Sequence, residues 1–284
     1  MGAVSGVETV IGIGGKYLVA QTSAELSFTD NTVDLNKKEA GYWGEKMGGE
    51  GEWSASTDVV YEDTNQGSVL GANGIVSVDV THGGTTETVR GLQEVSGEFG
   101  SEFNESADIE DPLWRFLSVV GQSFSLDLSG TYRDPASTDG AAIDLLLTAQ
   151  DAGDAVDVEI TFAELSFSGT MRPGDWTLAL SERGDNATFE IQMVHDGPVS
   201  WTEPTSLPTP ISALMSAYFN RNTVSARFYR SDGTAADTAK TNTTEWNGSG
   251  YIETLTFEAS RAEDLGYSID IAGDGPLNRS EVTA

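Results

Sequence analysis

The sequence predicts an all-β fold with two short helices. Most of the 284 residues fall into short segments of alternating apolar and polar residues, separated by clusters of Gly, Asp, Asn, Ser and Thr. Such alternation is typical of antiparallel strands joined by turns. Only two segments place apolar residues at helical spacing, so helix is predicted to be scarce. The predicted strands are 16–20, 24–29, 52–61, 75–80, 94–103, 123–132, 156–168, 187–195, 223–230, 250–259 and 266–272.

The first predicted helix spans 111–120. A capping aspartate is followed by proline, which suits the first helical position because no N–H bond is lost there. Apolar residues then fall at i, i+3, i+4 and i+7, and the segment stops at a glycine. These residues are Leu113, Phe116, Leu117 and Val120.

The second predicted helix spans 209–218 and has the same construction. Thr209 is the capping residue, and Pro210 occupies the first helical position. The same apolar spacing recurs through Ile211, Leu214, Met215 and Tyr218.

The two helices indicate an internal duplication of a unit made of a helix and three strands, at 111–200 and 209–278. Each unit ends in Asp-Gly-Pro, and the order of its parts recurs. A nested organisation accounts for the strands before the first helix. One module is 1–64 plus 205–284, and a second, related module at 65–204 is inserted into it. A tandem split near 150 is the alternative, because 22–28 resembles 161–167.

The chain is strongly acidic, with 45 Asp and Glu against 15 Lys and Arg and a formal charge of −30. The acids are spread along the chain, which favours adaptation to molar salt over a single acidic site, because the Debye length at 1 M salt is only about 3 Å. No basic stripe is present for gripping phosphates, although DNA could still pass without being held. With no cysteine, disulfides and thiolate metal sites are excluded.

No catalytic or cofactor site is predicted. The segment 12–16 lacks the spacing and the Ser or Thr of a phosphate-binding loop. His82 and His195 are the only histidines and lie far apart in sequence, there is no G-x-S-x-G motif, and a calcium site near Asp270 and Asp274 lacks the EF-hand pattern. Carboxylate pairs carry no information in so acidic a chain. We therefore expect a protein that is not an enzyme and has no cofactor, and we expect no signal peptide and no membrane span.

Six segments follow one another in a distinctive order: 24–28, 33–35, 51–54, 211–219, 250–255 and 273–277. Their order resembles the major tail protein family of long-tailed phages. That resemblance implies small β-sandwich or barrel modules, each flanked by one helix, whose strands join a continuous barrel lining a tube. It also implies that the loop 32–50, with Tyr42, Trp43, Lys46 and Met47, contacts neighbouring subunits, and Trp53 completes this set of interface candidates.

The function implied is that of a structural virion protein. Rings of six chains, or of three chains that supply six modules, would stack into a tail tube. The partners would be other copies of the chain, other tail proteins and viral DNA that passes without specific binding, with no membrane. The protein would be made in the host cytoplasm and reside in the virion tail, and the acidity adds the expectation of a halophilic archaeal host. The alternative is a secreted or virion-surface β-sandwich adhesin or decoration protein that binds host glycans.

Overall fold

The computed structural model describes most of the chain, and the statements below apply to the described residues. These are 9–13, 16–17, 21–35, 45–60, 76–107, 115–133, 137–162, 165–179, 187–202, 209–230, 239, 243–260 and 266–282.

The all-β prediction is confirmed, because the described residues form fifteen strands and two helices. The helices are α1 (Ala141–Ala152) and α2 (Thr209–Phe219). The strands are β1 (Thr9–Ile13), β2 (Lys16–Tyr17), β3 (Glu25–Leu35), β4 (Glu45–Val60), β5 (Val76–His82), β6 (Thr85–Thr88), β7 (Leu92–Ala107), β8 (Arg115–Thr131), β9 (Val156–Phe162), β10 (Leu165–Ala179), β11 (Thr188–His195), β12 (Ser200–Thr202), β13 (Val224–Arg230), β14 (Thr244–Ser260) and β15 (Gly266–Glu281).

The described residues of the predicted strands lie within these elements apart from single residues at their ends, with one division, and 18–20, 61, 75 and 163–164 lie outside the described residues. The range 156–168 is two strands, since β9 ends at Phe162 and β10 begins at Leu165. Alternation explains the local choice of strand, as in β5, where Val76, Val78 and Val80 are fully buried and the residues between them are half-buried.

The prediction of a helix at 111–120 is wrong where the structure describes it. Residues 115–120 begin β8, which pairs with β7 in a long antiparallel ladder. Leu117 is buried, whereas Val120 is 57% exposed, so the four apolar residues do not form one helical face. The β-branched pair Val119 and Val120 also favours strand, and pairing with β7 outweighs the local helical spacing.

Helix α1 lies in a segment rich in Thr, Asp and Ala for which no helix was predicted. It buries four small or apolar residues at i, i+1, i+4 and i+7: Ala142, Ile143, Leu146 and Ala149. Gly153 ends the helix in the left-handed conformation, with φ 72°, and donates to the carbonyl groups of the last turn.

The prediction of the second helix is confirmed by α2. Leu214, Met215 and Tyr218 of its predicted apolar face are buried in the core. The residues that follow the helix, Asn220 to Asn222, donate backbone N–H groups to the last-turn carbonyls of Ser216, Tyr218 and Ala217.

The strands form a single branched antiparallel sheet that contains two series of neighbours. The first series is β1, β13, β14, β15, β4 and β3, and the second series is β5, β9, β10, β11, β8 and β7. The two series meet where β7 pairs with β14. One hydrophobic core, which includes residues of both helices, runs through both series.

Candidate functional site: an open strand ladder with two outer edges

Eight strands form what we call the central ladder. In order across the sheet they are β3, β4, β15, β14, β7, β8, β11 and β10. The outermost strands are β3 and the second half of β10. Among the described residues, β3 pairs only with β4, and residues 176–179 of β10 pair only with β11.

One face of the central ladder packs against the core. On the six inner strands its residues are buried, for example Val95, Leu126, Ile191, Leu255 and Ile269. Apart from Val120 of β8, which is 57% exposed where the pairing of β8 with β7 is irregular, burial fails only on the two outermost strands. There Phe28 of β3 is 57% exposed and Leu178 of β10 is 41% exposed, although both side chains alternate with the outward-facing residues.

The pairing of β7 with β14, which we call the internal joint, shows how such edges can be joined. Seven residue pairs run from Thr254 opposite Gly100 to Ser260 opposite Glu94. Phe99 of β7 is 1% exposed at this joint. Its ring is surrounded by five others at centroid distances of 4.3 to 6.2 Å: Phe124, Phe167, Tyr218, Phe219 and Phe257.

Tyr218 of α2 is buried beside the internal joint, where its hydroxyl group contacts both β7 and β8. Its hydroxyl lies 2.8 Å from the carbonyl oxygen of Gly100 and 3.1 Å from that of Ser123. Burial raises the pKa of the Tyr218 phenol well above its usual value, and Arg221 offsets this only in part. The phenol therefore stays protonated and able to donate across β7 and β8.

The other face of the central ladder, which we call the open face, is polar and acidic. It consists of the residues that alternate with the core face in 25–29, 54–58, 266–270, 254–260, 94–100, 123–129, 188–194 and 172–179, and none of them is buried. Nearly half are serine or threonine. Nine are acidic: Glu25, Asp58, Asp270, Glu258, Glu94, Glu98, Asp127, Glu190 and Asp175.

The open face has almost no groups that attract anions. Arg172, at its margin, is its only basic residue among the described positions, and its guanidinium lies 2.5 Å from the carboxylate of Asp196. Arg172 also donates to the carbonyl oxygen of Gly153 at 2.6 Å. Val194, 46% exposed, is the one large apolar side chain on this face.

The tip of the β7–β8 hairpin reaches across the ladder to the first series. The backbone N–H of Leu117 donates to Asp274 Oδ1 of β15 at 2.7 Å. Arg115 Nη1 lies 3.3 Å from Glu52 of β4 and 2.9 Å from Glu105 of β7. The internal joint is thus reinforced by contacts of the hairpin tip.

The predicted interface residues are only partly described. Tyr42 and Trp43 lie outside the described residues. The predicted loop 32–50 is wrong at both ends, because 32–35 belong to β3 and 45–50 to β4; Lys46 and Met47 face Asp34 and Val33 in that hairpin.

Trp53 lies in the core of the chain. It is 2% exposed, its indole N–H donates to the carbonyl oxygen of Gly275 at 3.1 Å, and it meets Phe228 edge to face. An interface role for the five predicted residues stays a prediction. The sequence analysis did not identify the two outer edges, and it did not identify the open face as one continuous surface, although the alternation in the strands indicated that one side of each strand is polar.

The histidines take ordinary structural roles. His195 Nδ1 is 3.1 Å from both the backbone N and O of Phe124, and His82 lies 3.5 Å from the carboxylate of Asp154. Within the described ranges, no group of three or more metal-ligating side chains occurs, and neither helix is long and apolar enough to span a membrane.

Comparison with known proteins gives structural likenesses only. No family model and no curated protein matches the chain. A chain from the tail of an empty gene transfer agent particle, refined helically with C6 symmetry, is 21% identical over 47% of this chain and 100% of its own, with a TM-score of 0.40. A chain from the native gene transfer agent virion is 20% identical over 44% and 95%, with a TM-score of 0.37. One from the six-fold symmetrised baseplate of the anti-feeding prophage is 9% identical over 46% and 94%, also with a TM-score of 0.37.

Proposed function

We propose that the protein is the tube-forming structural subunit of a viral tail, and not an enzyme. Copies of the chain join through their central ladders into rings, of six chains or of three chains that supply six modules, and the rings stack into a hollow tube with other tail proteins. One observation carries this proposal. Apart from Val120 at the irregularity in β8, the central ladder exposes core-face apolar side chains only on its two outermost strands, while its other face is acidic along the whole ladder.

The outer edges favour association of the chain with itself. Unpaired strand edges beside exposed apolar side chains are a liability in a single chain, because they pair with other strands. A closed ring removes this liability, since each edge meets the opposite edge of another copy and no edge is left. The internal joint provides an example within the chain of the kind of contact that results.

The open face suits a channel through which DNA moves. Nine carboxylates with a single, already paired arginine repel phosphates and provide no counterion release, which is the main source of nonspecific DNA affinity. The serine and threonine hydroxyls keep the surface hydrated. In the tube this face lines the lumen, and the genome leaves through it without being held.

The chain in this proposal consists of two related modules, 1–64 plus 205–284 and the inserted 65–204. The identical neighbour order of the first and second series supports this division. So does the chain order, because each module runs through two hairpins, a helix and then three strands. A tandem split near 150 falls inside α1 and separates β8 from β11, with which it pairs.

Assembly in this proposal takes place at high salt, inside the cytoplasm of a halophilic archaeal host, and the product resides in the virion tail. The formal charge of −30 opposes association at low ionic strength, and molar salt screens that repulsion.

Electron microscopy of the purified chain tests the proposal. At 2 to 3 M salt, negative-stain images are expected to show rings and stacked tubes with a central channel. A strictly monomeric protein at high concentration in that buffer would refute the tube, and a monomer that also binds glycan-bearing cell surfaces would establish the adhesin instead.

A further inference from the structure

The internal joint indicates how a second copy of the chain attaches. We infer that residues 25–29 of β3 pair antiparallel with residues 175–179 of β10 in a neighbouring copy, with Phe28 opposite Trp176 and Leu26 opposite Leu178. We call this pairing the external joint. It rests on the proposed function and adds to it the pair of strands and their register.

The Asp-Gly-Pro sequence determines which residues of the two series correspond. It stands at 196–198, directly after β11, and at 274–276, within β15. Val194 and Ala272 each stand two positions before the aspartate. Val194 of β11 faces Ser125 of β8 in the second series, and Ala272 of β15 faces Ser54 of β4 in the first. These two serines therefore occupy equivalent places in the ladder.

Phe28 of β3 then corresponds to Phe99 of β7. The residue before each serine is aromatic, and the cross-strand partner of Phe124 is Phe99, whereas that of Trp53 is Phe28. Phe99 is 1% exposed because β14 and α2 cover it, and Phe28 is 57% exposed at the outer edge. The equivalence indicates that Phe28 also inserts between strand and helix, in another copy.

The second half of β10 corresponds to the second half of β14. Both strands contain a bulge at the same distance from the Asp-Gly-Pro sequence in their pairing with β11 and β15. Beyond the bulge, Trp176 corresponds to Leu255 and Leu178 to Phe257. Phe257 is 2% exposed beneath β7, whereas Leu178 is 41% exposed.

The register of the external joint follows from the internal one. Leu255 faces Phe99 in the internal joint, so Trp176 faces Phe28 in the external joint. In this register apolar side chains meet on the core face and polar side chains meet on the open face, with Ser27 opposite Thr177. A slip of one residue would place each set on the wrong face. Because the two edges differ, the contact is head-to-tail and propagates beyond two chains.

A disulfide test of the register uses the full chain, which contains no cysteine of its own. The double variant Ser27→Cys/Thr177→Cys, oxidised under assembly conditions, is expected to give disulfide-linked species of three or more chains on non-reducing gels. The matched control Glu98→Cys/Thr256→Cys joins residues that face each other within one chain. It is expected to give only an internally linked monomer.

Three results would overturn the inference. One is a disulfide that forms in the slipped variant Ser27→Cys/Ala179→Cys but not in Ser27→Cys/Thr177→Cys. In the inferred register the Cα atoms of the slipped pair would lie about 7 to 8 Å apart, too far for a disulfide. Another is dimers from either single-cysteine variant, which would indicate a symmetric contact. The third is a 27–177 disulfide within one chain, or none at all, in preparations that contain tubes; tubes without this disulfide refute the register but leave the proposed function intact.

A charge inserted at the external joint gives an independent test. Leu178→Glu is expected to abolish assembly and to lower the monomer's melting temperature no more than Val194→Glu does, because the two side chains are similarly exposed in the single chain. Val194→Glu is the matched control, since Val194 is similarly exposed but lies on the open face, and it should assemble as the unmodified chain does. Equal loss of assembly in the two variants, or assembly of Leu178→Glu, would contradict the inference.

Discussion

Replacing Phe28 with alanine separates the stability of the chain from the strength of its assembly. A phenylalanine side chain offers about 200 Å² of apolar surface. With 57% of it exposed, complete burial at the external joint would remove about 115 Å² from water, worth about 3 kcal/mol at about 25 cal/mol per Å². Alanine loses most of this, about 2 to 3 kcal/mol per joint, so the concentration needed for assembly should rise roughly 30- to 150-fold.

The monomer should lose less. The 43% of the Phe28 surface already covered amounts to about 85 Å², or at most about 2 kcal/mol of unfolding free energy. Phe99→Ala is the matched control, because the ring removed there is fully enclosed and the cavity left behind should cost about 3 to 5 kcal/mol.

Light scattering against protein concentration in molar salt measures assembly, and urea unfolding of the unassembled chain measures stability. The reasoning fails if Phe28→Ala assembles at the concentration of the unmodified chain. It also fails if Phe28→Ala destabilises the monomer as much as Phe99→Ala.

Three further predictions concern the β3–β4 hairpin, the net charge and the buried phenols. Deleting 34–49 should leave the chain folded by circular dichroism but abolish tube growth in electron micrographs; unchanged polymerisation would remove this segment from the interface. Raising salt from 0.1 to 2 M should lower the assembly concentration, because the Debye length falls from about 10 Å to about 2 to 3 Å, and a salt-independent scattering threshold would contradict this. Burial raises the pKa of Tyr218 and Tyr267 in the folded chain above the value of about 10 for an unfolded chain. The free energy of unfolding is therefore unaffected by these phenols below pH 10 and falls above it, by about 1.4 kcal/mol per pH unit for each phenol. Tyr267→Phe should make the fall in urea midpoint above pH 10 shallower, and an unchanged slope would show that this phenol does not titrate on unfolding.

The two helix predictions show what local patterns can establish. The same capped, apolar spacing occurs at 111–120 and at 209–218, and only the second is a helix. The spacing of four apolar residues contains no information about whether another strand is available to pair with the segment. For 115–131 such a strand exists, because β7 pairs with it along its length. Helix α1 escaped prediction because alanine contributes half of its buried stripe, so its apolar period was weak among Asp, Thr and Gln.

The candidate site was less accessible from sequence than the strands. Alternation predicted that one face of each strand would be polar, which the open face confirms. It could not predict which strands are outermost, because that depends on pairings between distant parts of the chain, such as β14 with β7. Aromatic content drew attention to Trp53, which is buried, whereas the exposed phenylalanine lies at an unremarkable position in β3.

The internal joint has a mechanical consequence. In a ring of such chains, internal and external joints would alternate between neighbouring modules. Each internal joint is reinforced by the continuous polypeptide and by the hydrogen bond from Leu117 to Asp274, whereas each external joint would be held by side chains and backbone pairing alone. Pulling or bending would then part the wall at the external joints first, so fragments of a broken tube should contain whole chains with their two halves still together.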